Sequence, residues 1–178
     1  MSLQLFTFQL LVLYTTYILI TNAVTVNTTY GPVTGTVIDD VNWFIGIPFA
    51  KPPVDELRFA SPEPPDSWTN PLELDVNSSV CCLQTTYNWS STAKSEDCLY
   101  LNVLTPLDAA YMTTNYSVMV WIHGGSFEYG CKTEWSADPS TMMEEIDDVI
   151  IVSINYRIGL LGWLYDNAYG TGSILVFV

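Results

Sequence analysis

Val149-Ile150-Ile151-Val152-Ser153-Ile154 places five β-branched aliphatic side chains in six consecutive positions. Such side chains are stiff at χ1 and suit a pleated surface better than a helix. A short continuous run of this kind is expected of a strand covered on both faces, as in a mostly parallel sheet. A buried helix is the other reading of an apolar run, but the β-branching and short length weigh against it. Working outward, Leu99 to Leu104 and Val118 to Ile122 are further short apolar strands. Between them and the run, Asp138 with Pro139 can cap and open a short helix through Ile146. Strands around a helix indicate the α/β class.

Further toward the N-terminus the pattern changes. Thr25 to Tyr30, Val33 to Ile38 and Trp43 to Ile47 are β-prone pieces separated by Gly31-Pro32 and Asp39-Asp40, and they predict a small antiparallel meander. Residues 51–79 carry six prolines, which cannot donate to a ladder and so describe an ordered surface loop.

The 178 residues suffice for one domain, and 49% hydrophobic with 13% charged residues excludes a disordered chain. A formal net charge of -14 repels phosphate backbones, and the basic residues Lys51, Arg58, Lys94, Lys132 and Arg157 are scattered, so no nucleic-acid partner is expected. The one histidine, His123, limits acid-base chemistry.

No charged side chain precedes Asp39, and Leu3 to Ile20 is almost unbroken apolar sequence. With Thr21-Asn22-Ala23 as a small-residue cleavage point, residues 1–23 read as a signal peptide and Val24 as the first mature residue. An uncleaved membrane anchor over residues 3–20 is the alternative, because no Lys or Arg follows Met1. Four glycosylation triplets, at Asn27, Asn77, Asn88 and Asn115, agree with a secreted, extracellular protein. In an oxidising lumen Cys81, Cys82, Cys98 and Cys131 read as bridge candidates, with three pairings open. Metal is the lesser reading, since there is no C-x-x-C pair and one histidine, and no cofactor is expected.

Several segments, taken in order, resemble one family: Trp43 to Ala50 followed by Pro52-Pro53 and Arg58-Phe59, then Ser95-Glu96-Asp97-Cys98-Leu99-Tyr100-Leu101-Asn102-Val103, then Val118 to Phe127 with His123-Gly124-Gly125-Ser126, then Ile154-Asn155-Tyr156-Arg157-Ile158-Gly159. The resemblance is to type B carboxylesterases and cholinesterases. It implies the N-terminal portion of an α/β-hydrolase fold: the small antiparallel meander plus the first strands of a central, mostly parallel sheet, truncated. Residues 24–166 would be that portion and residues 167–178 an off-pattern tail.

The resemblance also implies roles. Gly125 and Ser126 would donate backbone N–H groups to an oxyanion, with Gly124 permitting the turn. Glu96 would pair with Arg58. Cys82 would pair with Cys98, a bridge contributing about 3 kcal/mol in the chain-entropy model, which leaves Cys81 and Cys131 for a possible second one. Trp89 stands where cholinesterases hold a quaternary ammonium, but its place in a glycosylation triplet favours a packing or surface role.

Ester hydrolysis on this fold needs a serine on a G-x-S-x-G elbow, then an acid, then a histidine. Ser126 is followed by Phe127-Glu128 and Ser173 by Ile174-Leu175, so neither fits, and nucleophile, acid and base are all absent. A Ser126–His123 dyad lacks an acid to orient it. After Asp166 the chain departs from the family pattern, which suggests a truncated product or incomplete gene model that leaves the Val149 to Ile154 strand as an exposed edge. The expectation is an N-terminal fragment of a secreted serine esterase, inactive alone, with a small ester as substrate in a full-length form. A fragment of a neuroligin-like adhesion protein, with a protein partner, is the alternative; a secreted inert remnant is a third.

Overall fold

The computed structural model describes residues 23–74, 80–84, 93–110, 115–134, 142–143, 145–146, 149–166 and 171–172. Strands β1 (Ala23–Asn27), β2 (Pro32–Ile38) and β3 (Val41–Pro48) form the antiparallel meander. Val24, the expected first mature residue, is buried in it. The β2–β3 turn needs left-handed backbone at Asp39 (φ 46°) and Asp40 (φ 60°), which a short polar side chain tolerates.

The meander is not a separate layer. β3 pairs antiparallel with β7 (Tyr100–Pro106), and the register shifts between Ile45 and Ile47, around Gly46 at φ 90°. There the Gly46 N–H donates to Asn102 Oδ1 at 3.1 Å. A glycine at a bulge relieves the backbone, and the asparagine satisfies the donor left over. β7 pairs antiparallel with β9 (Val149–Ile154), and β9 pairs parallel with β8 (Ser117–Ile122). The order across the sheet is β1-β2-β3-β7-β9-β8, with β4 (Leu72–Glu73) parallel to β2.

This topology corrects one expectation, the place of the edge strand. The described sheet is mixed, with antiparallel pairings prevailing, because parallel neighbours need a long crossover and β8 to β9 supplies the main one. The outer strand is β8, not Val149 to Ile154: β9 is inserted between β7 and β8. Along β9, Val149, Ile151 and Ser153 are buried while Ile150, Val152 and Ile154 are half-buried. On β8, Val118, Val120 and Ile122 are 60%, 53% and 52% exposed.

The described part of the proline-rich segment, residues 51–74, is irregular apart from the 3-10 turn Asp55–Leu57 and β4. β5 (Val80–Cys82) pairs parallel with β6 (Ala93–Ser95), and β10 (Tyr165–Asp166) pairs antiparallel with β11 (Thr171–Gly172). Three apolar clusters hold the body. Val24, Val33, Phe44 and Leu74 lie under the meander. Val41, Leu104, Val149 and Ile151 lie under the centre, with Met142 and Met143 packed on them. Ala50, Cys82, Cys98, Leu99, Tyr156 and Ile158 lie beneath the loops that leave β8 and β9. Met142, Met143 and Glu145 are helical; the capping residues Asp138 and Pro139 lie outside the described residues. Among the described residues no helix is long and apolar enough to cross a membrane. The Leu3 to Ile20 segment, Asn77, Asn88 and Trp89 lie outside them.

Candidate active site

Parallel β8 and β9 end side by side, with Ile122 opposite Ile154. The chain leaves one as His123 to Phe127 and the other as Asn155 to Ile158, so both segments meet at the carboxyl end of the sheet, where α/β folds place ligands. Tyr156 Oη donates to the His123 carbonyl at 2.7 Å, and the two rings stack with centroids 4.2 Å apart.

Beyond His123 the backbone turns sharply. Ser126 (φ 53°) and Phe127 (φ 64°) are both left-handed, and the Glu128 N–H closes onto the Gly125 carbonyl at 2.9 Å. Positive φ at both central residues is the type I′ pattern. The Tyr129 N–H bonds to the same carbonyl at 3.1 Å, and the Gly159 N–H to the Phe127 carbonyl at 2.6 Å. The peptide unit is planar and trans, so fixing the Gly125 carbonyl aims the Ser126 N–H the opposite way. Neither the Gly125 nor the Ser126 N–H has an acceptor among the described residues.

The glycine that bends the loop is Gly125, which corrects the role expected of Gly124. Gly125 stands at φ 122°, and a Cβ there would lie 1.9 Å from the Tyr129 carbonyl oxygen. A Cβ at Gly124 would meet nothing within 4 Å. Gly130, at φ 116°, is equally constrained: a Cβ there would stand 2.2 Å from His123 Nδ1.

A cavity of about 280 Å³ opens beside the loop, lined by His123 to Phe127 with Ile122, Tyr156 and Trp163. Among the described residues no carboxylate lines it. Phe127 and Trp163 of the short helix Gly159–Trp163 meet at 4.2 Å between ring centroids. Burial holds the His123 imidazole below its ordinary pKa, against a smaller opposing effect of its bond to Gly124. Its Nδ1 lies 2.8 Å from the Gly124 carbonyl. A carbonyl only accepts, so Nδ1 carries the proton and is engaged with the backbone.

Two bridges anchor the surroundings. Cys82 is bonded to Cys98, and Cys81, which the sequence left unassigned, is bonded to Cys131. Beside the second bridge Gln84 Nε2 donates to the Gly130 carbonyl at 3.0 Å. Glu96 and Asp97 face different partners. Arg58 donates to both Glu96 carboxylate oxygens, from Nε at 2.6 Å and Nη2 at 3.0 Å. Asp97 accepts from Tyr100, whose hydroxyl is pushed up to about 12, first by burial and then by that bond. Asn27 and Asn115 are exposed.

Sequence reasoning missed Lys132 and Arg157 as buried cations. Lys132 is 0% exposed, and burial pulls its amine down to about 8. Arg157 is 5% exposed and donates from Nη2 to the Ala60 carbonyl at 2.9 Å. Nothing in composition distinguishes them from surface charges, although the Cys131-Lys132 adjacency placed one lysine beside a buried residue.

A model of the Carboxylesterase family matches residues 22–171. The para-nitrobenzyl esterase of Bacillus subtilis (strain 168) is 40% identical over 149 residues, which are 81% of this chain and 29% of that protein. The juvenile hormone esterase of Tribolium castaneum is 41% identical over 155 residues, 82% of this chain and 26% of that protein. A solved PNB esterase structure superposes with a TM-score of 0.73 at 39% identity, over 85% of this chain and 31% of that one. The chain thus spans less than a third of the length of these relatives. Its mixed sheet is the N-terminal part of an α/β-hydrolase fold, and the chain belongs to the carboxylesterase family.

Proposed function

We propose that this chain carries the oxyanion-binding part of a carboxylic ester hydrolase. The observation that carries the reading is the pair of adjacent N–H groups, Gly125 and Ser126, without acceptors among the described residues and beside an uncharged cavity. When a serine attacks an ester carbonyl, negative charge moves onto the carbonyl oxygen. Two fixed N–H donors at that point stabilise the tetrahedral species without reorganising. A third donor would come from beside the nucleophile. Because the 178 residues contain no G-x-S-x-G, the chain alone would bind but not turn over an ester.

The sequence suits export as the setting of this chemistry. The apolar segment Leu3 to Ile20, the exposed Asn27 and Asn115 triplets and two disulfides suit a secreted, glycosylated protein. The relatives named above are esterases, and no observation favours the adhesion reading.

The test is a chimera in which residues 24–166 replace the matching segment of the Bacillus para-nitrobenzyl esterase. Turnover of a p-nitrophenyl ester that stops with a serine-directed inhibitor is the expected result. A folded chimera without turnover rejects the reading, as does inhibitor-sensitive turnover by the 178-residue chain alone.

A further inference from the structure

A Cβ at Gly124 would meet nothing within 4 Å and Gly124 has no left-handed φ, so sterics at Gly124 do not by themselves set the 124–125 peptide plane. That plane carries the Gly125 N–H. In a trans peptide the N–H points opposite to the carbonyl of the same unit, so whatever holds the Gly124 carbonyl aims the Gly125 N–H. His123 Nδ1 holds it, at 2.8 Å.

His123 is itself held on both sides. The Tyr156 ring lies against the imidazole with planes 13° apart, and the Tyr156 hydroxyl binds the His123 carbonyl, fixing the preceding peptide plane as well. On the other side is Gly130, close enough that a Cβ would overlap Nδ1. Gly130 is fixed in turn by Gln84 and by the adjacent Cys81–Cys131 bridge. Tyr156 and His123 are 5% and 4% exposed, so these bonds form away from competing water.

We infer that Tyr156 is a positioning residue for the oxyanion site: through His123 it sets the direction of the Gly125 N–H, just as the Gly125–Glu128 turn sets that of Ser126. The inference rests on the ester-hydrolase reading for its consequence in catalysis, but its structural content stands on the chain itself. Tyr156 lines the cavity, but its hydroxyl is bound to the His123 carbonyl, so it acts through His123. Its effect is confined to a donor that counts most in the transition state, so its loss acts on kcat and leaves KM largely alone.

Two measurements test this separately. The chain has a single histidine, so selective ¹⁵N labelling reads one imidazole. In the full chain the Nδ1–H tautomer and a depressed titration midpoint are expected. Tyr156→Leu should shift both toward free imidazole, and an unchanged tautomer and midpoint would overturn the inference whatever the activity. In the chimera, Tyr156→Phe keeps the ring and removes the hydroxyl. A roughly three- to tenfold fall in kcat is expected, with KM within about twofold. Unchanged kcat, or a change confined to KM, overturns the positioning role. A chimera without any turnover, while Tyr156→Leu still shifts the imidazole of the full chain, rejects the ester-hydrolase reading and leaves the positioning of the loop by Tyr156 standing.

Discussion

Asn155 binds Cys98 through its side chain: Nδ2 donates to the Cys98 carbonyl at 2.9 Å in a fully buried setting. The same amide donates to the Val80 carbonyl at 2.7 Å, and its Oδ1 accepts the Lys132 N–H at 2.9 Å. One residue at the end of β9 thus joins β5, the segment before β7 and the segment after the oxyanion loop. Asn155→Ala would remove all three bonds, although the Cys98 carbonyl keeps the Tyr100 N–H at 2.8 Å, and should cost about 2 kcal/mol or more. Urea unfolding of the two forms measures it, and a loss under about 1 kcal/mol would show that water replaces the amide.

The two disulfides close chain segments of different length, 50 residues for Cys81–Cys131 and 16 for Cys82–Cys98. In the chain-entropy model they contribute about 4 and about 3 kcal/mol. Replacing each pair by serines should therefore destabilise the chain more for Cys81/Cys131 than for Cys82/Cys98. Denaturant midpoints of the two double variants check the order. Peptide mapping under non-reducing conditions should recover these pairings, and a Cys81 to Cys98 link would refute them.

Much of the sheet is readable from local pattern. The β-branching of Val149 to Ile154 and the turn residues Asp39-Asp40 announce strands and a reversal that depend on near neighbours alone. What is hidden depends on contacts distant in sequence. Nothing in Val118 to Ile122 says that β9 will insert between it and β7, so the strand left at the edge was misplaced. The pairing of Cys81 with Cys131 follows only once Cys82 is given to Cys98, which the resemblance supplies and local pattern does not. In the loop, two adjacent glycines look alike in sequence, and only φ and the position of Tyr129 distinguish Gly125 from Gly124.

That distinction is measurable. Gly124→Ala meets open space and should change stability by less than about 0.5 kcal/mol. Gly125→Ala and Gly130→Ala force a Cβ into occupied space at positive φ and should each cost about 2 kcal/mol or more. Thermal melts of the three variants decide it. Equal losses at Gly124 and Gly125 would mean that the turn is not built as described.

Lys132 makes stability depend on alkaline pH. Its folded pKa, about 8, lies below the ordinary 10.5 because burial disfavours the charged form. Between those values the unfolded chain binds more protons than the folded one, so stability rises with pH across the window. The penalty is complete below about pH 8 and amounts to about 3 kcal/mol at most. Tyr100, whose folded pKa is about 12, works against this above pH 10, because its unfolded form ionises first. The comparison is therefore made between pH 8 and 10, where unfolding midpoints should rise for the parent chain but not for Lys132→Met. Parallel curves would show that Lys132 is not the source.

Ser126 separates backbone from side chain in the proposed oxyanion site. Its hydroxyl has no assigned part, and its N–H is aimed by the turn at Gly125 to Glu128. Ser126→Gly keeps the N–H and adopts φ 53° more readily than serine, so the chimera should keep most of its kcat and lose no stability. Ser126→Pro removes the N–H and cannot take positive φ, so kcat should fall by roughly 10²–10³ on loss of a donor. Steady-state kinetics with a p-nitrophenyl ester, alongside circular dichroism to establish folding, reads both. If Ser126→Gly were as damaging as Ser126→Pro, the hydroxyl would be the functional group, and the charge developing on the ester oxygen would have to be held by a side chain.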